Sequence, residues 1–271
     1  MSNHRIIGAA GLVAASIVGA LVACSNDTGP TTKAATVYGP TVSFAQGSAR
    51  AWVQTDANGA AAAIGVAMTE GALSGLPATA SGPNPTALMV TLPLPAEAAG
   101  TGFDHAELGW NPNGHEPPQL YGKPHFDLHF YLVSSATQMA ILPNDPQFAT
   151  KAANLPAASF VPAGYVPPPA PIAANAIPQM GVHWSDVKSP ELNGQPFTKT
   201  FIFGSWDGRF IFLEPMVTKA YLETHPNATL PIPQPTQWAS AGAFPTTYTV
   251  AYDAAAKEFR FTLGGLTKGG G

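Results

Sequence analysis

The sequence predicts a mainly β protein, an antiparallel β-sandwich or barrel with one short helix and one long Pro-rich loop. Three observations carry this prediction. Short apolar runs rich in β-branched and aromatic residues recur between turn signals. Gly (27) and Pro (28) are abundant, whereas Asp, Glu, Lys and Arg together make only 10% of the chain. No long segment keeps a helical apolar period once the first thirty residues are set aside.

Residues 1–23 read as a lipoprotein signal peptide. His4 and Arg5 form a short polar start, Ile6 to Val22 is an apolar run rich in small residues, and Leu21-Val22-Ala23-Cys24 closes it. The run is marginal for a membrane span and has no stop-transfer flank. Leu-Val-Ala-Cys matches the lipobox of bacterial lipoproteins, and Cys24 is the only cysteine of the chain. Cys24 is therefore the expected lipidation site, and each acyl methylene buried in the bilayer adds about 0.8 kcal/mol to membrane anchoring. Residues 24–34 are the lipidated cysteine and a flexible polar tether, with Gly29 and Pro30 within it. Once Cys24 is consumed, no internal disulfide remains to be formed. The expected location is the bacterial cell envelope, lipid-anchored in the outer membrane facing the periplasm or at the cell surface. Ser25 supports this, since an Asp after the cysteine would favour retention at the inner membrane.

Residues 35–271 then form a single β-rich domain, of a length that all-β domains often reach. Without Arg5 the 12 basic residues become 11 against 16 acidic ones, a formal charge of −5. No Lys/Arg cluster occurs, which excludes a nucleic-acid partner and electrostatic membrane binding beyond the lipid.

The elements follow in order. Arg50 to Asp56 and Ala60 to Met68 flank Asn58-Gly59, a hairpin signal because both turn residues tolerate positive φ. Thr69 to Leu76 suits a short helical turn, and Thr86 to Leu94 is a further strand. Asn144 to Pro178 is Pro- and Ala-rich without any period, which suits either a lid or binding loop or a passive polyproline II segment. Thr198 to Gly204 and Arg209 to Glu214 flank Ser205-Trp206-Asp207-Gly208, a second hairpin with Asp-Gly at its turn. The short helix is expected over Met216 to Glu223, with Pro215 at its start and Pro226 beyond its end. Thr246 to Tyr252 and Glu258 to Leu263 make a third hairpin around Asp253 to Lys257.

The segment richest in chemistry runs from Gly114 to Tyr131. It holds three of the seven histidines, His115, His125 and His129, together with Glu116 and Asp127. After Pro124 the alternation is strict: His125, Asp127, His129 and Tyr131 share one parity, and Phe126, Leu128, Phe130 and Leu132 the other. This predicts a strand with one apolar face and one ionisable face. A solvated face would carry Lys, Thr, Glu or Ser; imidazoles and carboxylates point to a polar pocket and a divalent metal, zinc or another ion. On a regular strand His125 and His129 are about 13 Å apart, too far for one ion, whereas same-face neighbours are about 7 Å apart. The pairs to expect are therefore His125 with Asp127 or Asp127 with His129. Further ligands would come from His115 and Glu116 in the preceding loop, and from His183 in Gly181-Val182-His183-Trp184. A network of satisfied hydrogen bonds is the competing reading of the same residues. His105 and His225 are expected at the surface. Glu214 is suited either to facing the cluster or to starting a helix.

Other chemistries are poorly served. The chain has no Gly-x-Ser-x-Gly elbow, no P-loop and no dinucleotide fingerprint. Trp110, Trp184 and Trp206 border the polar segments and suit either core packing or stacking on a ligand or glycan.

Four segments resemble an uncharacterised bacterial family, typified by a ring-forming thermophile protein under the control of an extracytoplasmic-stress sigma factor. They are Asn113-Gly114-His115-Glu116-Pro117-Pro118, Pro124-His125-Phe126-Asp127-Leu128-His129-Phe130-Tyr131, Met180-Gly181-Val182-His183-Trp184 and Phe212-Leu213-Glu214-Pro215-Met216. The resemblance spans roughly residues 40–265. It implies a β-rich fold and a homo-oligomer, names no reaction, and singles out His115, Glu116, His125, Asp127, His129, His183 and Glu214 as the family's polar signature. Two functional expectations result. One is a lipid-anchored envelope protein with a divalent-metal site that binds or transforms a small molecule. The other is a non-catalytic, ring-forming stress protein whose histidines form a structural network.

Overall fold

A computed structural model describes Met1, residues 34–81 and residues 85–270. Residues 2–33, where the signal peptide, Cys24 and most of the tether are expected, lie outside the described residues. The strands are β1 (Ala35–Tyr38), β2 (Val42–Phe44), β3 (Gly47–Thr55), β4 (Ala61–Thr69), β5 (Leu88–Pro93), β6 (His105–Asn111), β7 (His125–Tyr131) and β8 (Tyr165–Val166). They continue with β9 (Val182–Asp186), β10 (Lys199–Trp206), β11 (Arg209–Thr218), β12 (Asn227–Pro231), β13 (Gly242–Phe244), β14 (Thr247–Asp253), β15 (Glu258–Gly264) and β16 (Thr267–Gly269).

Two seven-stranded antiparallel sheets dominate. The first has the order β1-β3-β4-β15-β14-β12 with β2 also on β3, and the second β5-β6-β7-β11-β10-β9-β8; β13 and β16 pair separately. Neither sheet closes into a barrel among the described residues, so the sandwich is the form adopted. Aromatic rings cross between the sheets, as in Phe44 against Phe126 (6.2 Å) and Phe201 against Tyr248 (5.0 Å). Phe126, Leu128 and Phe130 are fully buried in this shared core. Each such side chain contributes roughly 1.5–3 kcal/mol of hydrophobic stabilisation.

The three hairpins form, with one difference in chemistry. Asp207 (φ 48°) and Gly208 (φ 83°) both take positive φ in the β10–β11 turn, as a two-residue hairpin turn demands. In the β3–β4 turn only Gly59 does so (φ 82°). There the Asp56 carboxylate accepts from the backbone N–H groups of Asn58 and Ala60 at 2.8 and 2.9 Å, so a side-chain-capped loop replaces the expected Asn-Gly turn. The β14–β15 turn is held likewise by Asp253, which accepts from Ala255 and Ala256.

Three expectations need correction. The helix expected over Met216 to Glu223 begins three residues late: β11 continues through Pro215 to Thr218. The helix is confined to a single turn at Lys219–Leu222, whose N-terminus Thr218 caps by accepting from the Tyr221 N–H. Pro215 is accommodated because β11 pairs with β7 at Phe212 and Leu213 and again at Met216, leaving no partner on β7 at Glu214 and Pro215, which still pair with β10. Secondly, helix is not limited to one segment. Short helices α1 (Pro118–Tyr121), α2 (Ser135–Met139), α3 (Phe148–Ala153) and α4 (Lys219–Leu222) are present. All are too short for an apolar period to reveal them. Thirdly, Asn144 to Pro178 is not a structureless loop. It contains α3, two 3₁₀ turns and β8, and β8 extends the second sheet by pairing with β9.

Candidate metal centre

Strand β7 lies in the middle of the second sheet, between β6 and β11. Its apolar parity faces the shared core, so His125, Asp127, His129 and Tyr131 must face the other way. That face is also covered. Tyr121, Phe197, Ile202 and Met216 form a small apolar cluster over it, and His105 stacks on Tyr131 at 4.8 Å. The register arranges the outward side chains as a grid. Asp127 stands between Gly109 and Met216, and His129 is opposite Glu107 on β6. The register carries on across the gap at Pro215, which sets Glu214 opposite His129.

Two sets of three ligand-type residues result: His115, His125 and Asp127, and His129, His183 and Glu214. Within each set one donor atom per residue lies within 4.8 Å of the others. His125 and His129 thus belong to different sets, as their separation along the strand requires. His125 and Asp127 come together with His115, while His183 joins His129 and Glu214, so the residues expected around one ion fall into two sets. Glu116 is placed differently. Its side chain is exposed and only its carbonyl takes part, accepting from His115 Nδ1 at 2.9 Å.

In the first set the imidazoles are oriented by the backbone. His115 Nδ1 donates to the Glu116 carbonyl, and His125 Nδ1 donates to the Lys123 carbonyl at 2.7 Å. Both Nε2 atoms then face Asp127, at 3.5 and 3.1 Å. Asn111 Nδ2 donates to Asp127 Oδ2 at 2.6 Å and lies 3.3 Å from His125 Nε2, while the buried Asp127 Oδ1 faces His125 Nε2 at 3.1 Å. A neutral imidazole whose Nδ1 holds the proton presents a lone pair at Nε2. The His115 lone pair repels the carboxylate unless a proton or a cation lies between them, whereas that of His125 also meets the Asn111 Nδ2 donor at 3.3 Å. Without a cation the proton fills the gap. Burial opposes protonation of His115, but the bond and charge of Asp127 prevail and raise its pKa above 6.5. For Asp127, burial works upward, yet the charge of His125 and the bonds from His115 and His125 hold it well below the usual carboxylate range.

The second set is walled by aromatic rings. Phe212 meets His129 at 4.8 Å and His183 at 5.3 Å, both edge-on. Gly204 makes room for that ring, since a Cβ there would sit 2.0 Å from Phe212. Glu214 Oε2 lies 3.4 Å from His129 Nε2 and 3.7 Å from His183 Nε2. Neither nitrogen of His129 has a hydrogen-bond partner, nor has Glu214 Oε2. Burial, reinforced by the charge of Asp127, raises Glu214 well above its ordinary range. His129 is lowered by burial. His183 is pushed down to about 3 by burial and then by the neighbouring His129 and His115. A quarter of its side chain (26%) nevertheless reaches the surface, where solvent screens the effect.

The remaining expectations divide. His225 is half-exposed and stacks on Tyr252, as a surface histidine does. His105, expected at the surface, is buried, with Nδ1 2.8 Å from Asp104 Oδ1 and Nε2 2.9 Å from Gln138 Oε1. Its place on β6 beside Tyr131 buries it, and its own partners satisfy it. Trp110, Trp184 and Trp206 are all buried in the core. Asn111 is the residue that sequence reasoning missed; nothing in the local pattern marks it, and only the β6–β7 register brings it to Asp127.

A family model described as TTHB210-like, hypothetical protein TTHB210, matches residues 56–110. Over that stretch the chain is similar to a thermophile family of unknown function. The match covers the β3–β4 turn through most of β6 and ends before Asn113, so the histidine motifs lie outside it. Neither the curated proteins nor the solved structures give a match.

Proposed function

We propose that this protein holds a divalent cation, zinc or a similar ion, at His115, His125 and Asp127, and uses it to bind or transform a small molecule. The observation that carries this reading is the pinning of both Nδ1 atoms by backbone carbonyls, which aims both Nε2 atoms at a buried carboxylate. Metal-binding histidines are oriented in this way. A satisfied structural network would instead leave no orphans, yet both His129 nitrogens and Glu214 Oε2 are buried without partners. Two histidines and one carboxylate form a donor set shared by zinc and non-haem iron sites that keep an open position. His115 is 22% exposed while its partners are almost fully buried, so the open side is toward His115. When bound, the ion supplies Lewis acidity to a substrate oxygen. The residues do the rest. Asn111 orients Asp127, the carbonyls fix the imidazoles, and Tyr121 and Phe197 keep bulk water off His115 and His125, with ring centroids at 5.8 and 5.4 Å respectively.

We infer further that the lipobox at Leu21 to Cys24 anchors this centre to the cell envelope. Metal content tests the central reading. Metal-stripped protein, reconstituted with zinc and dialysed, is expected to retain about one equivalent or more. Retention below about 0.2 equivalents of zinc, iron, manganese or copper contradicts it.

A further inference from the structure

We propose that His129, His183 and Glu214 form a second cation position, so that the centre holds two divalent ions side by side and takes a small oxyanion across them. This rests on the metal reading of the first set and extends it. Each set has the same composition, two imidazoles and one carboxylate, with donor atoms within 4.8 Å of one another. In the second set both Nε2 atoms face one oxygen, Glu214 Oε2, at 3.4 and 3.7 Å. These distances are too long for good hydrogen bonds but suit donors spaced around an ion. His129 and Glu214 are each only 1% exposed, and Glu214 Oε2 and both His129 nitrogens are unpartnered. A buried imidazole with neither nitrogen bonded is costly to maintain unless something else binds it.

The fold makes room for this arrangement in two places. Gly204 admits the Phe212 ring against both imidazoles, and the ladder to β7 lapses beside Glu214. The two sets are neighbours, because Asp127 and His129 are two residues apart on one strand face. Their exposed members, His115 (22%) and His183 (26%), give both sets access to solvent. Charge identifies the ligand class. Two carboxylates against two divalent ions leave a net positive charge of two, and neither set contains Lys or Arg. An anion with two oxygens, one for each ion, matches that charge, as phosphates and carboxylates do.

Zinc titration of the metal-stripped full chain by calorimetry is the test, with inorganic phosphate as the probe anion. The wild type is expected to bind two zinc equivalents, His183→Ala one, and Glu214→Gln one. Phosphate affinity for the zinc-loaded protein is expected to fall by at least about tenfold in both variants. Glu214→Gln keeps the shape of the buried side chain and stands in if His183→Ala folds poorly. One equivalent in the wild type, unchanged in both variants, overturns the second position while the first stands. No zinc in any of them overturns both. Two equivalents with phosphate binding unaltered by either variant overturns the oxyanion bridge.

Discussion

The two faces of β7 are equally buried and otherwise opposite. Phe126, Leu128 and Phe130 on one side are 0% exposed, while His125, Asp127 and His129 on the other are 0, 5 and 1% exposed. The side chains of the first face carry no polar atom that needs a partner. On the second, both His129 nitrogens are left without partners. Burial therefore does not distinguish core from site in this strand; hydrogen-bond accounting does. A face that is dry but unsatisfied lowers the stability of the empty protein, and a bound cation relieves it.

The largest effect is expected on the apolar face. Phe130→Ala should destabilise the protein by about 3–5 kcal/mol in denaturant unfolding, while the fraction that remains folded keeps its zinc. Loss of zinc binding in that folded fraction would show that the two faces are not separable. Next comes Gly204→Ala, whose new methyl meets the Phe212 ring. Overpacking of this kind costs about 1–3 kcal/mol, and the displaced ring should remove the second zinc equivalent and spare the first. Glu214→Leu reverses the sign. Removing a buried, unpaired carboxyl should stabilise the metal-free protein by about 1 kcal/mol while abolishing binding at the second set. A structural network would lose stability instead, so a lower melting temperature in the stripped variant argues against the site.

The smallest effect is in the pH dependence. His183 is lowered in the folded protein relative to its ordinary 6.5. Its contribution to stability is therefore fully present above about pH 6.5 and is lost as the pH falls toward the folded value. Metal-free protein should lose less than about 1.4 kcal/mol per pH unit from this group below pH 6.5. His183→Ala should flatten that part of the curve, and an unchanged slope would assign the loss to other groups.

The alternation from His125 to Tyr131 made β7 legible, because period two is a local property of a strand. Its ligands were legible only as residue types. The partnership of His129 with Glu214 depends on the β7–β11 register, and Pro215 invited a helix where the strand in fact continues. A proline at a gap in the ladder and a proline at a helix start look alike in sequence. His105 was misplaced for a similar reason. Its burial comes from the β6–β7 pairing and from Gln138 on α2, neither of which its neighbours in the chain announce. The Asn144 to Pro178 segment hid its short elements because two-residue strands and single helical turns carry no period.

The most direct measurement is an anomalous difference map at the zinc edge, from crystals of metal-stripped protein soaked in zinc. A peak is expected about 2.0–2.2 Å from His115 Nε2, His125 Nε2 and an Asp127 oxygen. A map with no peak there, or with zinc only on exposed side chains such as His225, would contradict it.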